Sequence, residues 1–164
     1  MLRDKSLIPL SHQHQRALAL CVRIDRAQPI PETHLEAWQV EIEQLFEQEI
    51  KIHFAAEEDV IFPVARQFAE LVPLVEELMA DHDVLRESFA QAESRLMSAQ
   101  SLVAFAQQLS SHIRKEERHL FERLQRLMKA AELEKLGAQL NTSLKDATQS
   151  CVLPNAATKL KPTR

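Results

Sequence analysis

Two decapeptides in this chain share one grammar: His53-Phe-Ala-Ala-Glu57-Glu58-Asp-Val-Ile-Phe62 and His112-Ile-Arg-Lys-Glu116-Glu117-Arg-His-Leu-Phe121. Each reads H-x-x-x-E-E-x-x-[IL]-F. On an α-helix a step of four residues overshoots one turn by about 40° and rises about 6 Å. The His and the first Glu of each motif therefore point the same way, one turn apart, and can grip one metal ion or two adjacent ones. Each motif is preceded by a helix-like segment carrying a lone histidine, His82 before the second and His14 or His12 before the first. Residues four, seven and eight after His14 are Leu18, Cys21 and Val22, whereas the same steps from His12 reach Arg16, Ala19 and Leu20. His14 has the more apolar face, which leaves His12 at the rim.

A single histidine on an apolar helix face is usually a satisfied core residue. Here His14, His53, Glu57, His82, His112 and Glu116 all fall on core-facing stripes. Burying two carboxylates and four imidazoles without strong partners costs several kcal/mol each, roughly. Metal ions resolve that cost, since they neutralise the carboxylates and use the imidazole lone pairs. Mixed imidazole and carboxylate ligation without Cys or Met suits iron, manganese or zinc better than copper(I). Four His and two Glu suggest two ions. If each Glu bridges, each ion receives two imidazoles and two carboxylate oxygens, with room left for solvent or a small ligand. His119, three residues after Glu116, is a secondary candidate as ligand or supporting partner. Glu58 and Glu117 turn about 100° from their neighbours and read as solvated. Asp81 either orients His82 or faces water, and Arg86 either faces water or reaches a carboxylate at the edge. His34 reads as a surface residue and Cys21 as a small buried apolar one.

Four helices must position this set. Helix 1 is expected from about Leu10 to Ala27, ended by Gln28-Pro29-Ile30-Pro31, because prolines stop a helix and bias their predecessors to extended backbone. Helix 2 is expected from about Glu32 to Phe68, through Trp38, Ile42, Leu45, Phe46, Ile50, Val60, Ile61 and Val64, with Pro63 kinking or loosening its last turns. Helix 3 starts near Pro73 and presents Leu74, Leu78, Leu85, Phe89 and Leu96 beside His82. Helix 4 runs from about Leu102 to Met128 through Phe105, Leu109, Leu120, Leu124 and Leu127. A short fifth helix, about Ala131 to Leu140, is weakened by Gly137, and from Asn141 the chain reads as a loose tail. The fold class is thus all-α, an antiparallel up-down-up-down four-helix bundle over residues 1–140 with a flexible tail over 141–164. His82 and His112 fall at similar heights about the turn between helices 3 and 4. His14 and His53 match less well, unless helix 2 overhangs or starts later than Glu32.

Composition agrees. Among 164 residues Gly occurs once and Tyr never, which leaves helix-forming chemistry with little strand signal. A chain this long buries a core without metal support, so a metal here serves function rather than folding. A net charge of -4 with no basic patch argues against nucleic acid. No apolar run is long enough to span a membrane, Met1-Leu-Arg-Asp-Lys-Ser has no signal-peptide core, and two cysteines, Cys21 and Cys151, form no disulfide framework. The expectation is a reduced, cytoplasmic protein.

Leu10-Ser-His-Gln-His14-Gln-Arg-Ala-Leu18, the two His-x-x-x-Glu-Glu motifs and Asp81-His82-x-x-Leu85 together resemble the hemerythrin-like, His-His-Glu cation-binding family of four-helix bundles, over roughly residues 8 to 130. The resemblance implies a carboxylate-bridged non-haem di-iron centre at the six residues above. Oxygen-carrying hemerythrins typically show H-x-x-x-H on the third helix and H-x-x-x-x-D on the fourth. Here those second positions are Arg86 and Glu117, while Glu116 stands at the four-residue step. One imidazole is missing unless His119 supplies it, which points away from oxygen carriage. It points toward relatives that sense oxygen, nitric oxide or iron, or that handle iron. Residue 122 is Glu where many relatives have Pro, so helix 4 can continue.

Four functions compete. The first is a non-enzymatic di-iron protein binding oxygen, nitric oxide or peroxide. The second is an enzyme using the same centre on nitric oxide or peroxide, or in repair of iron sites. A ferritin-like oxidase would need paired E-x-x-H motifs, and only Glu116 to His119 qualifies. A metal-free helical adaptor leaves the six converging polar residues unexplained.

Overall fold

The computed structural model describes residues 2–145 and 157–159. Described secondary structure is entirely helical, in five helices. Helix α1 is Ile8–Arg26, α2 covers residues 35–65, α3 is Val72–Glu93, α4 covers residues 99–127 and α5 is Ala130–Ser143. Pro9 and Pro73 sit in the first turns of α1 and α3, where the missing N–H has no intrahelical partner to lose. Ser98 caps α4 by accepting a hydrogen bond from the Ser101 backbone N–H at 3.1 Å.

Several boundaries differ from the sequence expectation. Helix α2 begins at Leu35, because Glu32–His34 forms a 3-10 turn after the prolines. That later start reduces the mismatch in height between His14 and His53 without removing it. Helix α3 ends at Glu93 with Arg95 at a φ of 59°, so Leu96 falls outside the helix and is exposed. Helices α2 and α4 each widen into π turns where their first motif Glu begins, at Glu57–Ile61 and Glu116–Phe121. Such turns recur at functional sites. The helix carries on through Pro63 to Ala65. The expected tail lies largely outside the described residues, as does Cys151; within them α5 continues to Ser143, and buried Thr158 accepts a hydrogen bond from Arg23.

Hydrogen bonds fix which helices are neighbours. Between α1 and α2, Gln13 meets His53 and Arg16 meets Glu49. Helices α2 and α3 are joined through Glu43 and Arg95 just past α3, Glu58 and Arg86, and Arg66 just past α2 and Glu76. Helices α3 and α4 are joined through Asp81 and Gln108, and Glu77 and Lys115. Helices α1 and α4 meet at Ser11 and Glu117.

The core has two apolar parts. One contains Ile24, Trp38, Ile42, Phe89, Phe105 and Leu109; the other contains Leu10, Phe62, Leu78, Leu124 and, from α5, Leu136 and Leu140. Gly137 is needed for close approach. A Cβ there would lie 2.7 Å from the Ser6 Cβ and 3.0 Å from its Cα. Alanine is the better helix former by about 1 kcal/mol, yet overpacking of this kind costs about 1–3 kcal/mol. We therefore expect Gly137→Ala to lower stability in chemical denaturation; a gain would show that the N-terminal segment yields freely.

Candidate metal centre

Six polar side chains converge inside the four long helices. His14, His53, Glu57, His82, His112 and Glu116 are each at most 2 % exposed. They form two overlapping groups, His14 with His53 and His82 with His112, and both groups include Glu57 and Glu116. Within each group the potential ligand atoms lie within 4.8 Å of one another. The Nε2 atoms are 3.0 Å apart in the first histidine pair and 3.2 Å in the second.

The two carboxylates stand between the pairs. Glu57 turns Oε1 toward His53 at 3.2 Å and Oε2 toward His82 at 3.4 Å. Glu116 turns Oε2 toward His14 and Oε1 toward His112, both at 3.1 Å. None of the four oxygens accepts a well-aligned hydrogen bond, although all are buried and face imidazole nitrogens at 3.1–3.4 Å. Leaving a buried acceptor unmatched is costly, and a metal cation is a partner that these oxygens fit.

All four imidazoles send Nδ1 outward to an acceptor. His14 donates to Glu117 and His82 to Glu58, both at 2.7 Å. His53 donates to the Gln13 carbonyl oxygen at 2.8 Å, and His112 to Asp81 at a longer 3.4 Å. With Nδ1–H committed outward, Nε2 is the nitrogen each ring offers to a cation. The motif is now legible letter by letter. Its His and first Glu face the centre, its second Glu holds the lone histidine of a neighbouring helix, and its Phe covers that histidine. Phe62 lies 5.4 Å from His82, and Phe121 stacks on His14 at 5.7 Å, ring centre to ring centre.

Protonation follows from this crowding. Burial works against the imidazolium of His14, but Glu116 and Glu117 outweigh it and raise the group to about 9. Burial likewise opposes the charge on His112, which Glu116 and Asp81 raise to about 10. Burial and mutual repulsion push Glu57 upward, yet His53 and His82 hold it below the usual carboxylate range. Burial opposes the charge on Glu116 too, and His112 and His14 keep it well below that range. Glu117, opposed by burial but held by His14 and Ser11, falls to about 2. Without metal the centre is thus a neutralising cluster of imidazolium and carboxylate, and cations would displace protons.

Four sequence expectations change. Glu58 and Glu117 are not free in solvent but partly buried, because a step of one residue on these helices turns them toward the neighbouring helix. Arg86 Nη2 bonds Glu58 at 2.7 Å on the same Oε1 that faces His82, and Arg3 bonds the second oxygen of Glu117 at 2.6 Å, so each acid is also tied to an arginine. Asp81 bonds His112, not the adjacent His82. His119 is exposed and joins neither group, since the wide turn after Glu116 carries a three-residue step off the inward face. Other features match the reading: His12 is exposed, Cys21 is buried and free, and Arg86 reaches a carboxylate. Gln13, Phe62 and Phe121 were not singled out by their types, although the phenylalanines recur in both motifs.

The chain matches the hemerythrin HHE cation-binding domain over residues 9–124. It belongs to that family. No curated protein and no solved structure shows significant similarity to it. In this hemerythrin HHE domain the matched span contains all six converging residues, and a cation-binding function accounts for the orphaned carboxylate oxygens. Among the described residues no helix is long and apolar enough to cross a membrane.

Proposed function

We propose that this hemerythrin HHE protein holds two iron ions and uses the pair to bind or sense a small ligand, namely oxygen, nitric oxide or peroxide, or to handle iron. The ligands are His14 and His53 for one ion, His82 and His112 for the other, with Glu57 and Glu116 bridging. The observation that carries this is the pair of buried carboxylates, each presenting one oxygen without a well-aligned hydrogen bond to each histidine pair. Four protein ligands per ion leave positions for solvent or a small molecule, and the nitrogen and oxygen donors suit iron, with manganese or zinc as substitutes. The helix pairings support an antiparallel up-down-up-down bundle over residues 1–140, since partners advance along one helix as they retreat along its neighbour. A cytoplasmic setting belongs to the same reading.

Anaerobic purification from iron-replete cells, with metal analysis and optical spectra before and after oxygen, tests it. About two irons per chain are expected from the two ligand groups, with near-ultraviolet charge-transfer bands after oxidation. One zinc, or no metal on a folded chain, would refute the two-iron centre. His14→Ala should lower metal content while exposed His12→Ala should not. Equal losses would show that the centre is not where we place it.

A further inference from the structure

The two halves of the centre match closely except in one exchange of residue type. The residue before each lone histidine reaches the Nδ1 of a motif histidine, Gln13 to His53 and Asp81 to His112. Four residues before those motif histidines stand Glu49 and Gln108, again an acid against an amide but in the opposite order. Buried Glu49 is held by Arg16 at 2.8 Å. Asp81 is held by Gln108 at 3.0 Å and by Lys115 at 2.7 Å. Each half therefore contains one acid, one amide and one base. In one half the amide touches the imidazole; in the other the carboxylate does.

We propose that this exchange makes the two ion positions unequal, Asp81 and Gln13 being the positioning residues that set the order, so that the His82–His112 position binds more tightly and fills first. The inference rests on the two-ion reading above. A carboxylate behind an imidazole makes it a stronger ligand than an amide does. Lys115 shares the Asp81 oxygen and tempers the gain, but it also holds the carboxylate in place. The lone histidines do not offset the difference, since Glu117 and Glu58 back His14 and His82 alike at 2.7 Å.

The full chain, stripped of metal, is titrated anaerobically with Co(II) by calorimetry, and histidine-ring resonances are recorded at one equivalent. Wild type should bind two ions in two steps, with the first equivalent shifting the His82 and His112 rings. Asp81→Asn should weaken the first step about 10–100-fold, the usual cost of losing a partner behind a ligand, and leave the second nearly unchanged. Gln13→Glu should tighten the second step. The double exchange Gln13→Glu with Asp81→Asn should reverse the order, so that the first equivalent shifts His14 and His53. Helical circular dichroism and thermal unfolding confirm that each variant folds; if one does not, the single-equivalent spectrum of wild type still decides. Two ions bound with both ring pairs shifted equally, or Asp81→Asn weakening both steps alike, would overturn the inference and leave the two-ion centre standing. Fewer than two ions in wild type would overturn the centre itself.

Discussion

Replacing Glu116 by Gln is expected to empty both ion positions together, and Glu57→Gln should do the same. Each carboxylate spans the centre, with one oxygen 3.1–3.4 Å from a histidine of each pair. Gln keeps the shape but supplies a neutral carbonyl to one side and an NH₂ group, which cannot ligate, to the other. The change removes the negative charge that the two proposed ions would share, at a position fully buried from solvent. Losing a partner behind a ligand costs about 10–100-fold in affinity, and losing a bridging ligand should exceed that for both ions. Breaking a buried ion pair is destabilising unless the charge left behind is neutralised. His14 and His112 can release their protons once Glu116 is gone, so the helical fold should survive, at reduced stability. Metal stoichiometry with helical circular dichroism checks both statements. Loss of one ion with retention of the other would make the glutamate a terminal ligand and refute the bridge.

The inward-facing set was legible because helical period reports the direction of a side chain. His14, His53, Glu57, His82, His112 and Glu116 were all placed on the core side by spacing alone, and all are buried. Period failed where the helix departs from 3.6 residues per turn. The π turns beginning at Glu57 and Glu116 are invisible to a fixed-angle projection, and His119 was brought too near the centre as a result. Period also says which way a residue leaves its own helix but not what stands there. Glu58 and Glu117 turn away from the core stripe, and only the packing of neighbouring helices reveals a histidine in their path. The signal was nonetheless present, for the second Glu and the terminal Phe recur in both motifs without being needed for ligation. Gln13 and Asp81 offered no such repeat, because their types differ. The fifth helix was legible as a short element, but not the reason for Gly137, which lies in the approach of distant Ser6.

Glu117→Ala should weaken the ion at His14 and His53, and Glu58→Ala the ion at His82 and His112, each by about 10–100-fold. Spacing alone suggested that neither acid matters, since both point away from the ligand stripe. The hydrogen bonds argue for the opposite: each accepts the Nδ1–H of a lone histidine at 2.7 Å and is itself tied to an arginine. Removing the acid frees the ring to rotate or change tautomer, and it strips the charge that makes Nε2 a better ligand. Gln, which keeps an acceptor oxygen without the charge, should restore part of the lost affinity in each case. A purely structural role would instead lower thermal stability and affect both ions equally. The measurement is stepwise metal affinity for each variant with the single-equivalent histidine spectrum, beside thermal unfolding of the metal-free chain. If Glu117→Ala and Glu58→Ala bind both ions as wild type does, the outward hydrogen bonds do not position the histidines, and the repeated second Glu of the motif must owe its place to packing between the helices.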